Sequence, residues 1–363
     1  MEGYQHSFPA LRGTQAGSDF FVAMCPMKLL TKIFVFDEDE VPPELRAQRT
    51  LNKHRIPEIA RYLADNRESY VVSALTASVD TSVTFQAEGS GIGSRTIGTL
   101  QIPMDARLLI NDGQHRRAAI EEAIKECPEL RDDHVPVIFF VDKGLERSQQ
   151  MFADLNKHAI RPSDSLSTLY DQRDPSSELA RYVAMTVDGF KGMTEMEKSS
   201  ISNRSTKLFT LSGIKHASRA LLRKGKRDDI SQEEQTFAAD FWSEVVCNMP
   251  DWIQAKERKL ASSDLRQNYV HAHGVALSAL GAAGADLVAT HPKAWRQKLK
   301  RLGTLDWSRS NEELWEGRAM THGRISKAKV NIQLTANLIK RHIGLALNPE
   351  EDELERSLVN SSD

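Results

Sequence analysis

The pattern of apolar positions changes character near the middle of the chain. In the first half, short apolar runs alternate with segments of helical period. FFVAMCPM (20–27) and LLTKIFVF (29–36) are continuous enough to predict buried strands. IPEIARYLADN (56–66) sets Ile59, Tyr62 and Leu63 on one side, with Pro57 near its start, which predicts a helix. SYVVSALTASVD (69–80) and TIGTLQIPM (96–104) read as two strands of a hairpin, flanking a loop that contains GSGIGSR (89–95). Next come ARLLIND (106–112), a helical period after Gly113, and HVPVIFFVD (134–142). That order is the grammar of a βαβ unit, in which the helix begins beside the carboxyl end of the first strand. LERSQQMFADLNKHA (145–159) adds a further helix.

Beyond YDQRDPSSE (170–178), helical periodicity takes over in SELARYVAMTV (177–187), TLSGIKHASRALL (210–222), EEQTFAADFWSEVVCNM (233–249) and KVNIQLTANLIKRHIGL (329–345). The run VHAHGVALSALGAAGADLVAT (270–290) is interrupted by His271, His273, Ser278 and Asp286. It therefore predicts a buried helix packed closely through Gly274, Gly281 and Gly284, not a membrane span. NPEEDELERSLVNSSD (348–363) reads as a frayed acidic tail. The expected architecture is mixed, α+β: an α/β domain over residues 1–172 and a mainly α-helical domain over 173–363. A length of 363 residues agrees with two domains of roughly 100 to 200 residues each.

Composition narrows the picture modestly. Hydrophobic residues make up 40%, charged residues 27%, and the net charge is −2, so any surface for nucleic acid has to be local. Cys25, Cys127 and Cys247 are odd in number and far apart, without a CxxC pair. This argues against a disulfide framework or zinc ribbon and for a reducing cytoplasm. The opening MEGYQHSFPALRG lacks the basic start and apolar core of a signal peptide. His271 and His273, spaced i, i+2, would diverge on a helix, and HExxH is absent, so no metal site is expected. GSGIGSR lacks the Lys-Ser/Thr ending of a phosphate loop and reads as a hairpin loop.

The densest chemistry lies in LLINDGQHRRAAIEEAI (108–124). If Asp112 and Gly113 make the turn and a helix starts near Gln114, free N–H groups and the positive end of the helix dipole face one place, an anion site. Arg116 or Arg117 then grips phosphate oxygens, and His115 donates a hydrogen bond or moves a proton. Helix phase sets Arg116 at the edge of the stripe Ala119, Ile120, Ala123 and Ile124, facing a pocket, and Arg117 nearer Glu121. The plainer reading is equally open: Asp112 caps the helix, Gly113 turns the chain, and both arginines pair with Glu121, Glu122 or solvent.

Asp112-Gly113-Gln114-His115-Arg116, after an apolar strand and opening a helix, resembles the signature of DGQHR-domain proteins. RTLNKHRIPEIARYL (49–63), MFADLNKHAIRPSDSL (151–166) and KSSISNRSTKLFTLSGI (198–214) extend the resemblance to the DndB family of bacterial DNA phosphorothioation systems. It implies a first domain related in fold to the ParB N-terminal domain and sulfiredoxin, where the equivalent turn and Arg-bearing helix bind nucleotide phosphates. It also implies a DNA-binding transcriptional repressor of the modification operon, and does not imply catalysis.

Two further segments fit that expectation. In EKSSISNRSTKLFTLSGIKHASRALLRKGKRDD (197–229), Lys198, Arg204, Lys207, Lys215, Arg223 and Lys224 alternate with hydroxyl and amide side chains suited to a phosphate backbone. The alternative is a solvated loop plus a helix with a basic end. In FADLNKHAIRP, Asn156 and Lys157 either join the Gly113 turn in one phosphate or nucleotide site or complement a helix end. Arg117 and Arg161 complete the expected DNA contacts. The function expected is a cytoplasmic, homo-oligomeric repressor that binds double-stranded promoter DNA. The alternatives are a hydrolase or nickase with ATP or another NTP and Mg²⁺ at Asp112, His115 and Arg116, and an adaptor for the sulfur-modification enzymes.

Overall fold

Alternating burial along the apolar runs of the first half condenses them into one seven-stranded sheet. The computed structural model describes residues 4–34, 55–89, 91, 94–141, 150–151, 154–155 and 162–360. Its chain divides into two units, Met1–Ile160 and Arg161–Asp363. In the first, β1 (Gln5–Gln15), β2 (Ser18–Pro26), β3 (Leu75–Val79), β4 (Thr84–Ala87), β5 (Ile97–Pro103), β6 (Leu108–Asp112) and β7 (His134–Val141) lie in the order β4-β5-β1-β2-β7-β3-β6. Helix α3 (Gln114–Glu126) packs against both α1 (Met27–Ile33) and α2 (Ile56–Asp65). On β7, Val135, Val137 and Phe139 are buried, and Phe139 stands between Phe21 of β2 and Ala77 of β3.

Three features of this unit depart from the sequence expectation. The first residues of LLTKIFVF lie in α1, where Met27, Leu30 and Ile33 recur every third position and are buried while Lys32 is exposed. The hairpin forms with β4, not β3, as the first arm: β4 pairs with β5, and β3 lies between β7 and β6. Burial explains the exchange, because all five residues of β3 are buried whereas β4 has mostly exposed positions suited to an edge. In consequence β6 and β7 are not neighbouring parallel strands. β3 separates them, parallel to β7 and antiparallel to β6. The helix expected over 145–159 falls largely outside the described residues.

The second unit is built from helices α4 (Asp164–Tyr170), α5 (Pro175–Thr186), α6 (Leu211–Leu222), α7 (Gln232–Cys247), α8 (Pro250–Lys256), α9 (Ser262–Asn268), α10 (Gly274–Thr290), α11 (Trp295–Leu299), α12 (Glu312–Trp315), α13 (Lys329–His342) and α14 (Pro349–Asn360). The expected domain boundary after residue 172 falls inside this unit. α4 packs on α5 and α6, and the buried hydroxyls of Ser165 and Ser212 meet at 3.0 Å. Central α10 packs on α6 and α13. A Cβ on Gly281 would sit 2.2 Å from the Ala217 carbonyl oxygen of α6, so a small residue is what lets the two backbones approach. His271 is 1% exposed, accepts from Trp252 Nε1 at 3.0 Å and lies 3.2 Å from Asp251, which makes it a satisfied core residue. Among the described residues no helix is long and apolar enough to cross a membrane.

The acidic C-terminal segment is ordered helix over Pro349–Asn360, in place of the expected frayed tail. Its carboxylates are the reason. Glu351 bonds the ammonium of Lys340 at 2.5 Å, and Lys340 also pairs with Asp286. Glu355 takes Arg318 in a fork, 2.7 Å to each oxygen, with Arg341 at 3.3 Å. Glu355 is 4% and Lys340 3% exposed, so these are buried pairs whose partners cannot be removed singly without stranding a charge. Replacing Glu355 by Ala should lower unfolding free energy by about 3 kcal/mol, read as a urea-midpoint shift at constant slope. An unchanged midpoint would show that the Glu355 pairs contribute nothing to the fold.

Candidate functional site

The DGQHR residues form a strand-to-helix turn whose geometry is set by one glycine. Asp112 ends β6, Gly113 adopts φ 107°, ψ 15°, and α3 begins at Gln114. A Cβ at Gly113 would lie 2.3 Å from Leu75 Cδ2, so both conformation and space demand glycine. Gln114 is buried, and its amide donates to the Ile110 carbonyl at 3.1 Å and the Asn111 carbonyl at 3.3 Å, tying the helix start back to β6. Asn111 is fully buried and donates to Ser78 Oγ at 2.7 Å and Met151 Sδ at 2.9 Å. Gly113, as the N-cap of α3, has no side chain with which to cap the helix.

The two arginines turn inward. Arg116 Nη1 donates to the Ser73 carbonyl at 2.9 Å, the Ala74 carbonyl at 2.8 Å and the Ser73 hydroxyl, while Nη2 pairs with Asp112 at 2.8 Å. It clamps the approach to β3 against the turn, and its charge is matched by Asp112. Arg117 Nη1 pairs with Glu121 at 2.6 Å, and Nη2 donates to the Thr31 carbonyl at 2.8 Å in the last turn of α1. Its side chain is 13% exposed. His115 is half-buried on the first turn of α3. The structure thus brings Asp112, Gly113, Gln114 and Arg116 together; Asn156, Lys157 and Arg161 lie outside the described residues.

The basic segment separates into two groups. Three of the helical cations are paired: Lys215 with Asp174 at 2.5 Å, Lys224 with Glu234 at 2.8 Å, and Arg223 with Asp286. In contrast, Lys198 and Arg204 are exposed and have no ion pair among the described residues, and Lys207 donates only to the Gly192 carbonyl at 2.6 Å. They sit on a loop organised by Arg266, a residue without a sequence signal. Its guanidinium donates to the carbonyls of Ser202 at 3.0 Å, Asn203 at 3.2 Å, Ser205 at 3.0 Å and Lys207. Four converging carbonyls fix an irregular backbone, and the stretch 198–207 contains no carboxylate.

A glycine turn thus opens α3, and the half-buried guanidinium of Arg266 holds a basic loop whose stretch 198–207 is free of carboxylates. The chain belongs to the DndB family, DNA-sulfur modification-associated, whose family model matches residues 8–346, nearly the whole length. No curated protein and no solved structure matches it significantly. Membership ties the chain to DNA sulfur modification.

Two measurements test this geometry. Gly113→Ala forces a side chain into a left-handed conformation and onto Leu75, and should cost about 2 kcal/mol or more, read by urea unfolding. His273 donates to the Arg266 carbonyl at 2.7 Å, and burial, with Arg309 and Lys327 nearby, pushes it down to about 4. The unfolded imidazole binds its proton near pH 6.5 and the native one only near 4, so stability is lost as pH falls through that window, by ~1.4 kcal/mol per unit at most. The urea midpoint should therefore fall more steeply between those limits in the parent chain than in His273→Gln; parallel profiles would refute the assignment.

Proposed function

We propose that the chain is a DNA-binding transcriptional repressor of a bacterial DNA phosphorothioation operon, acting in the cytoplasm. In this reading the first unit is a DGQHR domain related in fold to the ParB N-terminal domain and sulfiredoxin, and the second supplies the DNA-contacting and dimerising surface. The observation that carries it is the Arg266-held loop, which presents Lys198 and Arg204 with serine and asparagine neighbours and no carboxylate between positions 198 and 207. Those residue types contact phosphates, and unpaired cations release counterions on binding. Family membership supplies the modification context. A twofold dimer suits a palindromic promoter site.

At the DGQHR turn the reading places a phosphate-type anion beside the Gly113 turn. Arg116 acts there as a positioning residue through Asp112 and Ser73.

Fluorescence anisotropy with promoter DNA and random DNA of equal length, over a range of salt, tests the proposal. Promoter DNA should bind at least ~1,000-fold tighter. The double change Lys198→Ala/Arg204→Ala should weaken both and reduce the salt slope by about two, one for each phosphate that the variant no longer neutralises. Equal affinity for the two DNAs sinks the repressor reading.

A further inference from the structure

The second unit contains a recess of about 480 Å³ between the 199–203 stretch, α9, the start of α10 and the segments carrying Arg309 and Lys327. Its size falls in the range of small-molecule sites and exceeds that of a bare oxyanion. Three cationic side chains line it, Arg266, Arg309 and Lys327, and no carboxylate does.

The charges are not neutralised internally. Arg266 gives its hydrogens to backbone carbonyls, and Arg309 donates to the Gln267 and Gly323 carbonyls, each at 2.9 Å. Carbonyls satisfy hydrogen bonds without cancelling a formal charge, and none of the three cations has an ion pair among the described residues. The amine of Lys327 lies over the first residue of α10: a Cβ at Gly274 would be 3.0 Å from Nζ. α10 runs for 17 residues, and its N-cap residue His273 makes no side-chain capping bond. A helix start and three like charges therefore converge on one space, which is unfavourable until an anion enters. Phe209 and Leu277 add apolar lining to the recess.

We propose that this recess binds a small phosphate monoester of nucleotide size, with its phosphate at Lys327, Arg309 and the α10 start and its body against Phe209 and Leu277. Arg266 and Arg309 also hold backbone. Lys327 has no such task, being exposed and outside any helix or strand, so it isolates the binding role.

The test is calorimetry on the full chain without DNA, titrating AMP, GMP, CMP and UMP in turn, with adenosine and inorganic phosphate as comparators. At least one nucleotide should bind saturably with one site per chain. Lys327→Glu should weaken it by at least about tenfold, the loss of a charge-assisted bond, while leaving the urea midpoint unchanged. Adenosine and phosphate alone should each bind more weakly. The Lys198→Ala/Arg204→Ala chain, altered outside the recess, should bind the nucleotide as the parent does, so this site and the DNA reading can fail separately. The proposal is overturned if no nucleotide saturates at millimolar concentration, if Lys327→Glu binds equally well, or if adenosine binds as tightly as AMP. It is also overturned if a DNA duplex displaces the nucleotide competitively, which would make the recess part of a DNA-backbone surface.

Discussion

The guanidinium of Arg266 takes backbone carbonyls from four residues of an otherwise irregular stretch, and much of the second unit's chemistry hangs on that arrangement. An unstructured basic loop loses conformational entropy when it meets a polyanion, and a loop already held in place does not. Burial lowers the proton affinity of Arg266 somewhat, yet guanidinium stays charged throughout the physiological range. One side chain therefore fixes the loop that presents Lys198 and Arg204 and contributes positive charge to the neighbouring recess. His273 belongs to the same arrangement, because its ring donates to the Arg266 carbonyl, a bond that works against the burial that holds the ring neutral.

At the DGQHR turn, function and scaffold share residues. Arg116 makes bonds to Ser73, Ala74 and Asp112 that join the start of β3 to the end of β6. Removing it takes a partner from two carbonyl oxygens and a carboxylate, so loss of activity in an Arg116 variant does not by itself identify a ligand contact. Gly113 is more clearly structural in its demand, since Leu75 leaves no room for a Cβ.

Much of this was legible in the sequence. Helical periods over α5, α6, α7, α10 and α13 matched elements with buried stripes, because 3.6-residue periodicity is a local signal. Strand partners were not legible: choosing β4 over β3 for the hairpin depends on which strand is buried on both faces, a non-local property. LLTKIFVF was ambiguous for the same reason, as a short apolar run suits a strand or a buried helix. The acidic end read as a tail because its partners, Arg318, Lys340 and Arg341, come from other segments. At the site, the motif and the basic stretch stood out by composition, whereas Arg266, Arg309 and Lys327 are isolated cations that only tertiary structure assembles.

The sheet order has a consequence for how the chain comes to be folded. β1 pairs with β5 more than eighty positions later, and β2 with β7, whose last residue is Val141. The first two strands can form their own hairpin as soon as they leave the ribosome, yet the centre of the sheet stays open until β7 has emerged. In the helical second unit α5 packs on the next helix, α6, while α10 reaches across the sequence to α6 and α13. During synthesis the sheet of the first unit must therefore wait, with β2 and its apolar residues unpaired on one edge until the stretch beyond the DGQHR helix arrives.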